Sequence, residues 1–419
     1  MKCPLYRKGV VDIMKKVGLF MRILIAIALG VGIGWIAPTW IIRIFSTFNE
    51  IFGNFLAFCI PLIIIAFIVP GIGELGRGAG KLLGLTTFVV YLSTALAGML
   101  ALFVAKNGFQ VLLPPTLLQA VGNPGDALLP SYFSIEMPPV FNVMTALLLA
   151  FLLGIGIAAT QAEQLMKASS EFKAIIGKVI SSVIIPLLPI HIMGIFMNMT
   201  QAGAVAMILQ VFLKVFAVIL LMHLVMLILQ YSTAGLLNKK NPLSMMKVMI
   251  PAYMTALGTQ SSAATIPITL QQVKKLGTDE DIADFTVPLC ATIHITGSTI
   301  TLTSVASIIL LLHGQPLSWA QMIPFILMLG ITMIAAPSVP GGGVMAALGL
   351  FQTMLGFDEA MISLAIALYI AQDSFGTAAN VTGDGAIAQI VHAIKHRTFQ
   401  SAQLDKGRTI NSETTKTPL

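Results

Sequence analysis

Long apolar stretches dominate the chain, and most polar residues lie in the short segments between them. A helix needs about 20 apolar residues to cross a bilayer. Basic residues are frequent before the first stretch and after the last, which predicts cytoplasmic termini at residues 1–19 and 395–419 and an even number of crossings. The pattern predicts an all-α polytopic membrane protein with eight transmembrane helices, at residues 20–46, 50–72, 82–106, 138–160, 177–200, 204–236, 283–312 and 360–394.

Two further apolar stretches, at residues 243–273 and 322–355, are interrupted near the middle. The first is broken by a Gly-Thr-Gln-Ser-Ser segment and the second by a Pro-Ser-Val-Pro-Gly-Gly-Gly segment. Lipid cannot satisfy the N–H and C=O groups of unwound backbone, so such breaks persist where protein buries them or where they line a wet cavity. Each segment reads as two apolar helices separated by a break, and the pair indicates inverted repeats, which are typical of a transporter site. A proline kink or a tight external loop is the alternative for either break.

Composition restricts the class of protein. Hydrophobic residues make up 57% of the chain and charged residues 10%, against roughly 25% charged in an average globular protein. This excludes a cytosolic enzyme and a disordered scaffold, and a net charge of +7 indicates basic cytoplasmic loops rather than a nucleic-acid partner. No nucleophile elbow, phosphate loop or zinc-protease motif is present, and no metal-ligand spacing connects the histidines. We therefore expect no enzymatic activity, no cofactor and no transition metal.

Two carboxylates fall inside the last apolar stretch, although a charge at membrane depth costs about 2.5–3.5 kcal/mol on insertion scales. Asp373, Thr377, Asn380 and Asp384 are spaced by four, three and four residues, which predicts one helical face. Between Lys275 and Lys395 the sequence has no lysine or arginine. A face with two carboxylates, an amide and a hydroxyl suits a cation: an ammonium group, a metal ion or a proton. The alternative is a polar stripe that bonds neighbouring helices.

The seventh apolar stretch is also polar near its middle. A glycine, Gly297, lies among five polar residues there and indicates a break whose carbonyl groups suit Na⁺. His294 is a candidate ligand or proton carrier, although a lone histidine inside a membrane is more often a hydrogen-bonding core residue. The five polar residues are Thr292, His294, Thr296, Ser298 and Thr299.

At these residues the sequence resembles the dicarboxylate/amino acid:cation symporters, the family of glutamate and neutral amino-acid transporters. Four segments carry the resemblance in the family's order: a serine-rich first hairpin tip, an unwound helix 7, a second hairpin tip and helix 8. It implies the glutamate-transporter-homologue fold, with six amino-terminal helices at 20–236 and the core of a transport domain at 238–394. In that core the interrupted stretches at 243–273 and 322–355 would be two re-entrant hairpins, hairpin 1 and hairpin 2, and the predicted spans at 283–312 and 360–394 would be helix 7 and helix 8. Helices 3 and 6 would join that transport domain, and the other early helices would form the scaffold and trimer contacts. The four segments are residues 258–270, 288–299, 337–343 and 372–384.

The resemblance also implies residue roles. The hairpin tips would hold the substrate's α-carboxylate, Asp373 its α-ammonium group, and Asp384 a sodium ion together with backbone carbonyl groups. A second sodium ion would lie between helix 7 and the base of hairpin 2. The substrate set is Ser261, Ser262, Ser298, Val339, Gly343, Asp373, Gly376, Thr377 and Asn380. The cation set is Cys290, Thr292, His294, Met333, Ala336, Asn380 and Asp384.

Departures from the family pattern narrow the expected substrate. Gly376 stands where members that carry acidic amino acids have an arginine, and Gln260 stands where many prokaryotic members have one. A second substrate carboxylate would then be buried and unpaired, at a cost of several kcal/mol. His294 and Thr296 replace the asparagine and aspartate of helix 7, so a third sodium site is expected to be lost.

The sequence therefore predicts a trimeric secondary symporter of the cell (inner) membrane that moves a small neutral amino acid such as serine, threonine or alanine. Its coupling ion would be Na⁺, with H⁺ as the alternative, and its transport domain would move by an elevator-type mechanism within the lipid. A carrier of dicarboxylates or acidic amino acids is one alternative, and an ion channel is another.

Overall fold

The computed structural model describes residues 19–77, 81–109, 129–203, 205–334, 336 and 341–414, and these residues are helical apart from the segment 129–142 and short connections. The amino-terminal half contains two short apolar helices and several long ones. Its helices are α1 (Leu19–Ile36), α2 (Thr39–Arg77), α3 (Lys81–Val104), α4 (Val143–Thr160), α5 (Glu163–Val179), α6 (Ile185–Gln201) and α7 (Val205–Asn238).

The first two helices meet at a different place from the one that hydropathy predicts. The apolar pattern places a boundary between residues 46 and 50, but the chain breaks at Pro38 and α2 continues without interruption to Arg77. Proline has no N–H to donate and disfavours helix in the residue before it. The polar residues at the predicted boundary stay helical because Ser46 and Thr47 donate hydrogen bonds to the backbone one turn earlier, at 3.1 and 2.7 Å.

The carboxyl-terminal half consists of shorter, frequently broken helices. In the first interrupted segment Gln260 adopts φ +53° and ends α9, and the side chain of Ser261 accepts a hydrogen bond from Ala264 N at the start of α10. The interruption lies where the sequence predicts it. The helices are α8 (Pro242–Val248), α9 (Ile250–Thr259), α10 (Ser262–Lys275), α11 (Glu280–Ile293), α12 (Thr296–Leu312), α13 (Trp319–Ile334), α14 (Gly342–Leu355), α15 (Glu359–Ile370) and α16 (Asp373–Thr414).

The last two predicted spans are both broken. Helix 7 is interrupted at His294 and Ile295, between α11 and α12, two residues before the predicted glycine. Helix 8 is two helices rather than the single span predicted at 360–394, because the chain bends by 59° between Ile370 and Asp373. The helix that begins at Asp373 runs on into the predicted tail and ends at Thr414.

Within the described residues, five helical spans are long and apolar enough to cross a membrane: α2, α3, α5 with α6, α7, and α11 with α12. The number is six when α15 and α16 count as one bent span. Two shorter apolar helices, Met21–Ile36 and Leu148–Thr160, lie within the first and fourth predicted spans. Large apolar side chains such as Phe88, Leu148 and Leu213 point outward and are more than half exposed. The chain is therefore an integral membrane protein with an apolar outer surface.

The helices pack as two neighbouring groups. Helix α2 packs against α4, α5 and α6, and α1 packs against α6. Helix α16 is surrounded by α7, α9, α11 and α12, and α3 contacts both α12 and α16. Every residue of α12 is buried, as are most residues in the first half of α16. The polar residues of helices 7 and 8 therefore lie at the centre of the second group.

Candidate functional site

Asp373 is the first residue of α16 and lies at the bend in helix 8. Its side chain is buried, and Oδ2 accepts a hydrogen bond from the backbone N–H of Gly341 at 2.7 Å. Gly341 has φ +75°, a conformation that glycine adopts without strain, and it directly precedes α14. The hydroxyl group of Tyr369 contacts both Asp373 and Ser298. The carboxylate is thus joined directly to the tip of hairpin 2.

Asn380 connects α16 to the break in helix 7. Its Oδ1 accepts hydrogen bonds from the N–H groups of Gly297 at 2.7 Å and Ser298 at 3.4 Å, and its Nδ2 donates to Ser298 Oγ at 3.1 Å. The first N–H groups of a helix have no partner inside the helix. Asn380 therefore supplies the acceptor that the start of α12 lacks.

Gly297 allows this close approach because it has no side chain. A Cβ atom at this position would overlap the carbonyl oxygen of Gly376 and lie 2.9 Å from Cβ of Ala379. Gly376 lies at the same contact, but its own Cβ would lie 3.5 Å from Ser298 N, an ordinary van der Waals distance. The absence of a side chain on Gly297 therefore lets the two helices touch at the middle of the site.

The tip of hairpin 1 reaches the same end of α16. Gln260 donates a hydrogen bond from Nε2 to Ser374 Oγ at 2.7 Å, next to Asp373. Ser261 and Ser262 are half-buried at the start of α10. The structure therefore brings both hairpin tips to the first turn of α16, where the sequence predicts the substrate site.

The remaining substrate candidates lie around these contacts. Thr377 is buried one turn after Asp373. Gly343 lies in the first turn of α14, where an added Cβ would overlap the hydroxyl oxygen of Tyr369. Val339 belongs to the predicted set but lies outside the described residues.

Asp384 and His294 form a buried pair at the predicted cation site. His294 Nδ1 donates to Asp384 Oδ1 at 2.8 Å, and neither side chain is more than 1% exposed. The other ring nitrogen, Nε2, lies 3.3 Å from Ser93 Oγ and 3.3 Å from Gln230 Nε2. Gln230 also donates to Ser93 at 2.9 Å. One carboxylate oxygen of Asp384 is thus occupied by the imidazole rather than left open for a cation.

The residues whose carbonyl groups were expected to bind the cations do not all lie close to Asp384. Cys290 O accepts the backbone N–H of His294 at 2.8 Å and ends α11 close to this pair. Thr292 is exposed, and its hydroxyl group donates to Leu289 O. Met333 and Ala336 are buried at the end of α13, which contacts α11. Carboxylate and carbonyl oxygens are the donor types that hard cations prefer, so the donor set around Asp384 fits Na⁺ apart from the nitrogen of His294.

Sequence reasoning overlooked four polar residues that line this region. Ser93 on α3 and Gln230 on α7 contact His294, and His223 Nε2 donates to Gly297 O at 3.0 Å. Tyr369 contacts Asp373. Each is a polar side chain inside an apolar helix, and the sequence alone contains this signal. Only the tertiary structure shows that these side chains contact helices 7 and 8.

The chemistry of the whole site suits a zwitterion. It offers a buried carboxylate, a cluster of hydroxyl and amide groups and the starts of α10 and α14, where N–H groups favour negatively charged groups. The sequence from 276 to 394, which contains α11 to α15 and half of α16, has no lysine or arginine. This arrangement can bind a carboxylate at the hairpin tips and a cation at Asp373.

Comparison with known proteins agrees with this geometry. Residues 19–394 match the sodium:dicarboxylate symporter family. The chain is 27% identical over 390 residues to the serine/threonine transporter SstT of Acinetobacter baumannii, covering 89% of this chain and 96% of that protein. It is 30% identical over 268 residues to an excitatory amino acid transporter of Caenorhabditis elegans, covering 62% of this chain and 52% of that protein. The chain belongs to the sodium:dicarboxylate symporter family and is a cation-coupled symporter rather than an enzyme.

Proposed function

We propose that the protein couples the uptake of a small neutral amino acid, such as serine, threonine or alanine, to Na⁺, with H⁺ as the alternative coupling ion. The names of the relatives agree with an amino-acid substrate, and the serine/threonine transporters agree with a neutral one. The substrate's α-carboxylate binds at the hairpin tips, its α-ammonium group at Asp373, and its side chain near Gly376.

The contact between Asp373 and Gly341 is the observation that carries this proposal. The carboxylate is buried in a cluster of neutral groups, where it accepts hydrogen bonds from a backbone N–H and a tyrosine hydroxyl group. A buried carboxylate is costly unless it is paired, and an α-ammonium group supplies a positive charge. Because the same carboxylate holds the tip of hairpin 2, the bound ammonium group and the position of that tip are linked.

The substrate is neutral because residues 276–394 supply no lysine or arginine for a second carboxylate. Gly376 lies against the start of α12, and Gln260 uses its amide group to bond Ser374. A side-chain carboxylate would be buried without a counter-charge, which costs several kcal/mol. A small hydroxyl or methyl side chain avoids this cost.

Coupling to cations involves Asp384. A sodium ion there would use the carboxylate and backbone carbonyl groups near Cys290 and Asn380, and a second would bind near Thr292 and the end of α13. His294 occupies one oxygen of Asp384 and contacts Ser93, which supports a stoichiometry of one or two sodium ions. Cation and substrate binding would then be reciprocal, as linkage requires.

Movement of one helix group against the other agrees with the packing. The first group, built on α2, would form the scaffold of a homotrimer, and the group around α16 would carry the substrate across the inner membrane. Helix α14 packs against α2, and His191 on α6 contacts Ser363 on α15 at 3.0 Å. In an elevator-type mechanism these contacts between the groups would break and re-form while both termini remain cytoplasmic.

Uptake into proteoliposomes tests the proposal. Labelled serine is competed against a panel of neutral amino acids, aspartate and succinate, with Na⁺ or choline outside and at two pH values. We expect serine, threonine or alanine to compete best and choline to abolish uptake. Asp373→Asn should remove uptake because an amide carries no charge for the ammonium group. Asp358→Asn is the matched control, since asparagine caps α15 as well as aspartate does.

Each other outcome identifies a different function. Best competition by aspartate or succinate would indicate a carrier of dicarboxylates or acidic amino acids. Undiminished uptake in choline, with a dependence on pH, would replace Na⁺ by H⁺. Single-channel current without saturable uptake would indicate a channel, and normal uptake by Asp373→Asn would show that the ammonium assignment is wrong.

A further inference from the structure

We propose a binding site for a divalent transition-metal ion where the loop before α11 meets α16, formed by Asp279, His392 and His396. One ligand atom from each of these side chains lies within 4.8 Å of the others. The site is separate from the substrate and cation residues, and it does not depend on the proposed function.

The fold brings these residues together from distant parts of the sequence. His392 and His396 are four residues apart on α16, so they share a helical face, and their ring centroids are 4.4 Å apart. Asp279 directly precedes α11, and its loop is fixed to α16 by a hydrogen bond from Gln389 Nε2 to Thr278 Oγ1 at 2.6 Å. The four-residue spacing of the histidines was a signal that the sequence interpretation overlooked.

The three side chains already face one another. His396 Nε2 lies 2.7 Å from Asp279 Oδ2. His392 Nδ1 lies 3.9 Å from Asp279 Oδ1 and accepts a hydrogen bond from Asp279 N at 3.3 Å. The nearby positive charge of Lys395 is paired with Asp281 at 2.8 Å. The cluster therefore places two imidazoles and one carboxylate within 4.8 Å of one another, and an ion bound through His392 Nδ1 would replace the hydrogen bond from Asp279 N.

This donor set matches the chemistry of zinc and similar ions. Imidazole nitrogen and carboxylate oxygen bind Zn²⁺ at about 2.0–2.2 Å, and three protein ligands leave a further position for water. The side chain of His392 is 15% exposed, whereas those of Asp279 and His396 are 46% and 53% exposed. An ion can therefore enter from solvent beside Asp279 and His396 and bind against the more buried His392. An exposed ion pair alone contributes little and does not require the second histidine.

A bound ion would join the connection between α10 and α11 to the end of the first half of α16. Hairpin 1 ends at this connection with α10, and helix 7 begins after it with α11. Metal binding would thus fix the cytoplasmic side of the helix group that contains the substrate site, and would raise its resistance to unfolding by mass action.

Metal titration of the full-length protein tests the proposal. The protein is purified without a polyhistidine tag, in a Cys3→Ser background that removes one competing thiol ligand, and is treated with chelator. Zn²⁺ is then added and followed by calorimetry and by thermal unfolding, with Co²⁺ as a spectroscopic probe. We expect one ion for each chain and a higher melting temperature. Each of Asp279→Asn, His392→Ala and His396→Ala should weaken binding by at least about tenfold, since loss of outer-shell partners alone costs 10–100-fold.

Two control variants keep the test specific. Glu280→Gln removes a negative charge one residue away, on a side chain that pairs with Lys274, and His313→Ala removes a histidine whose ring bonds a backbone carbonyl group elsewhere. Both should bind zinc like the parent protein. Binding that is absent, or that is equal in the ligand and control variants, would show that the cluster is an ion pair only. If a ligand variant fails to fold, the parent protein still distinguishes the two cases: a metal site predicts a zinc-dependent rise in its melting temperature, and an ion pair predicts none.

Discussion

The contact between the helix 7 break and α16 can be tested by adding one methyl group. In Gly297→Ala the new Cβ would overlap Gly376 O and lie 2.9 Å from Cβ of Ala379. Ordinary contacts begin near 3.4 Å, so α16 must retreat by at least the difference at Ala379, about 0.5 Å, and by more to relieve the overlap with Gly376 O. Overpacking of this kind typically costs about 1–3 kcal/mol.

The same displacement affects the hydrogen bonds of Asn380. Its contact with Gly297 N, now 2.7 Å, would lengthen to at least about 3.2 Å, and its contact with Ser298 N, now 3.4 Å, would pass beyond hydrogen-bond reach. If the whole penalty falls on the substrate-bound state, affinity falls by about 5- to 150-fold. We therefore expect a folded protein with a raised half-saturation concentration for its substrate.

The assay combines thermal unfolding in detergent with uptake at a series of substrate concentrations. Gly84→Ala is the matched control, because a Cβ at that position of α3 meets no atom within 4 Å. Alanine should be tolerated there and favour the helix by up to about 1 kcal/mol. If Gly297→Ala matched Gly84→Ala in melting temperature and half-saturation concentration, the close approach of the two helices would be wrong.

Two further substitutions test other parts of the structure. Asn198→Ala removes three hydrogen bonds, to Ser46 Oγ at 2.8 Å and with the backbone O and N of Leu129 at 3.0 and 2.9 Å. At about 0.5–1.5 kcal/mol for each bond, the cost should be about 1.5–4.5 kcal/mol, and an unchanged melting temperature would contradict it. Gly383→Ala places a Cβ 2.8 Å from Cε1 of His294. We expect it to displace the imidazole from the buried pair and to change the half-saturation concentration for Na⁺ more than that for substrate; equal effects on both would contradict this reasoning.

Local chemistry let the sequence predict the broken helices. Clusters of polar residues or of glycine and proline inside an apolar stretch favour a break, whereas single prolines such as Pro61 and Pro70 remain inside α2. The hairpin tips near Gln260 and Gly341 could therefore be predicted from the sequence alone. The helical period alone likewise places Asp373 and Asn380 on one face. The boundary near Ser46 failed for a related reason: a polar side chain can bond its own helix, and hydropathy does not detect this.

The partners of the polar residues could not be predicted in this way. His294 and Asp384 are 90 positions apart, and Asp279 and His396 are 117 apart. Nothing local in the sequence specifies such distances, because they depend on how α11 and α16 pack after both have formed. The sequence by itself therefore determined which segments are helical, where hairpin 1 and helix 7 break and which charges the apolar segments contain. Tertiary packing decided that a histidine occupies the carboxylate of the predicted cation site, since only the folded chain brings those side chains within hydrogen-bonding distance.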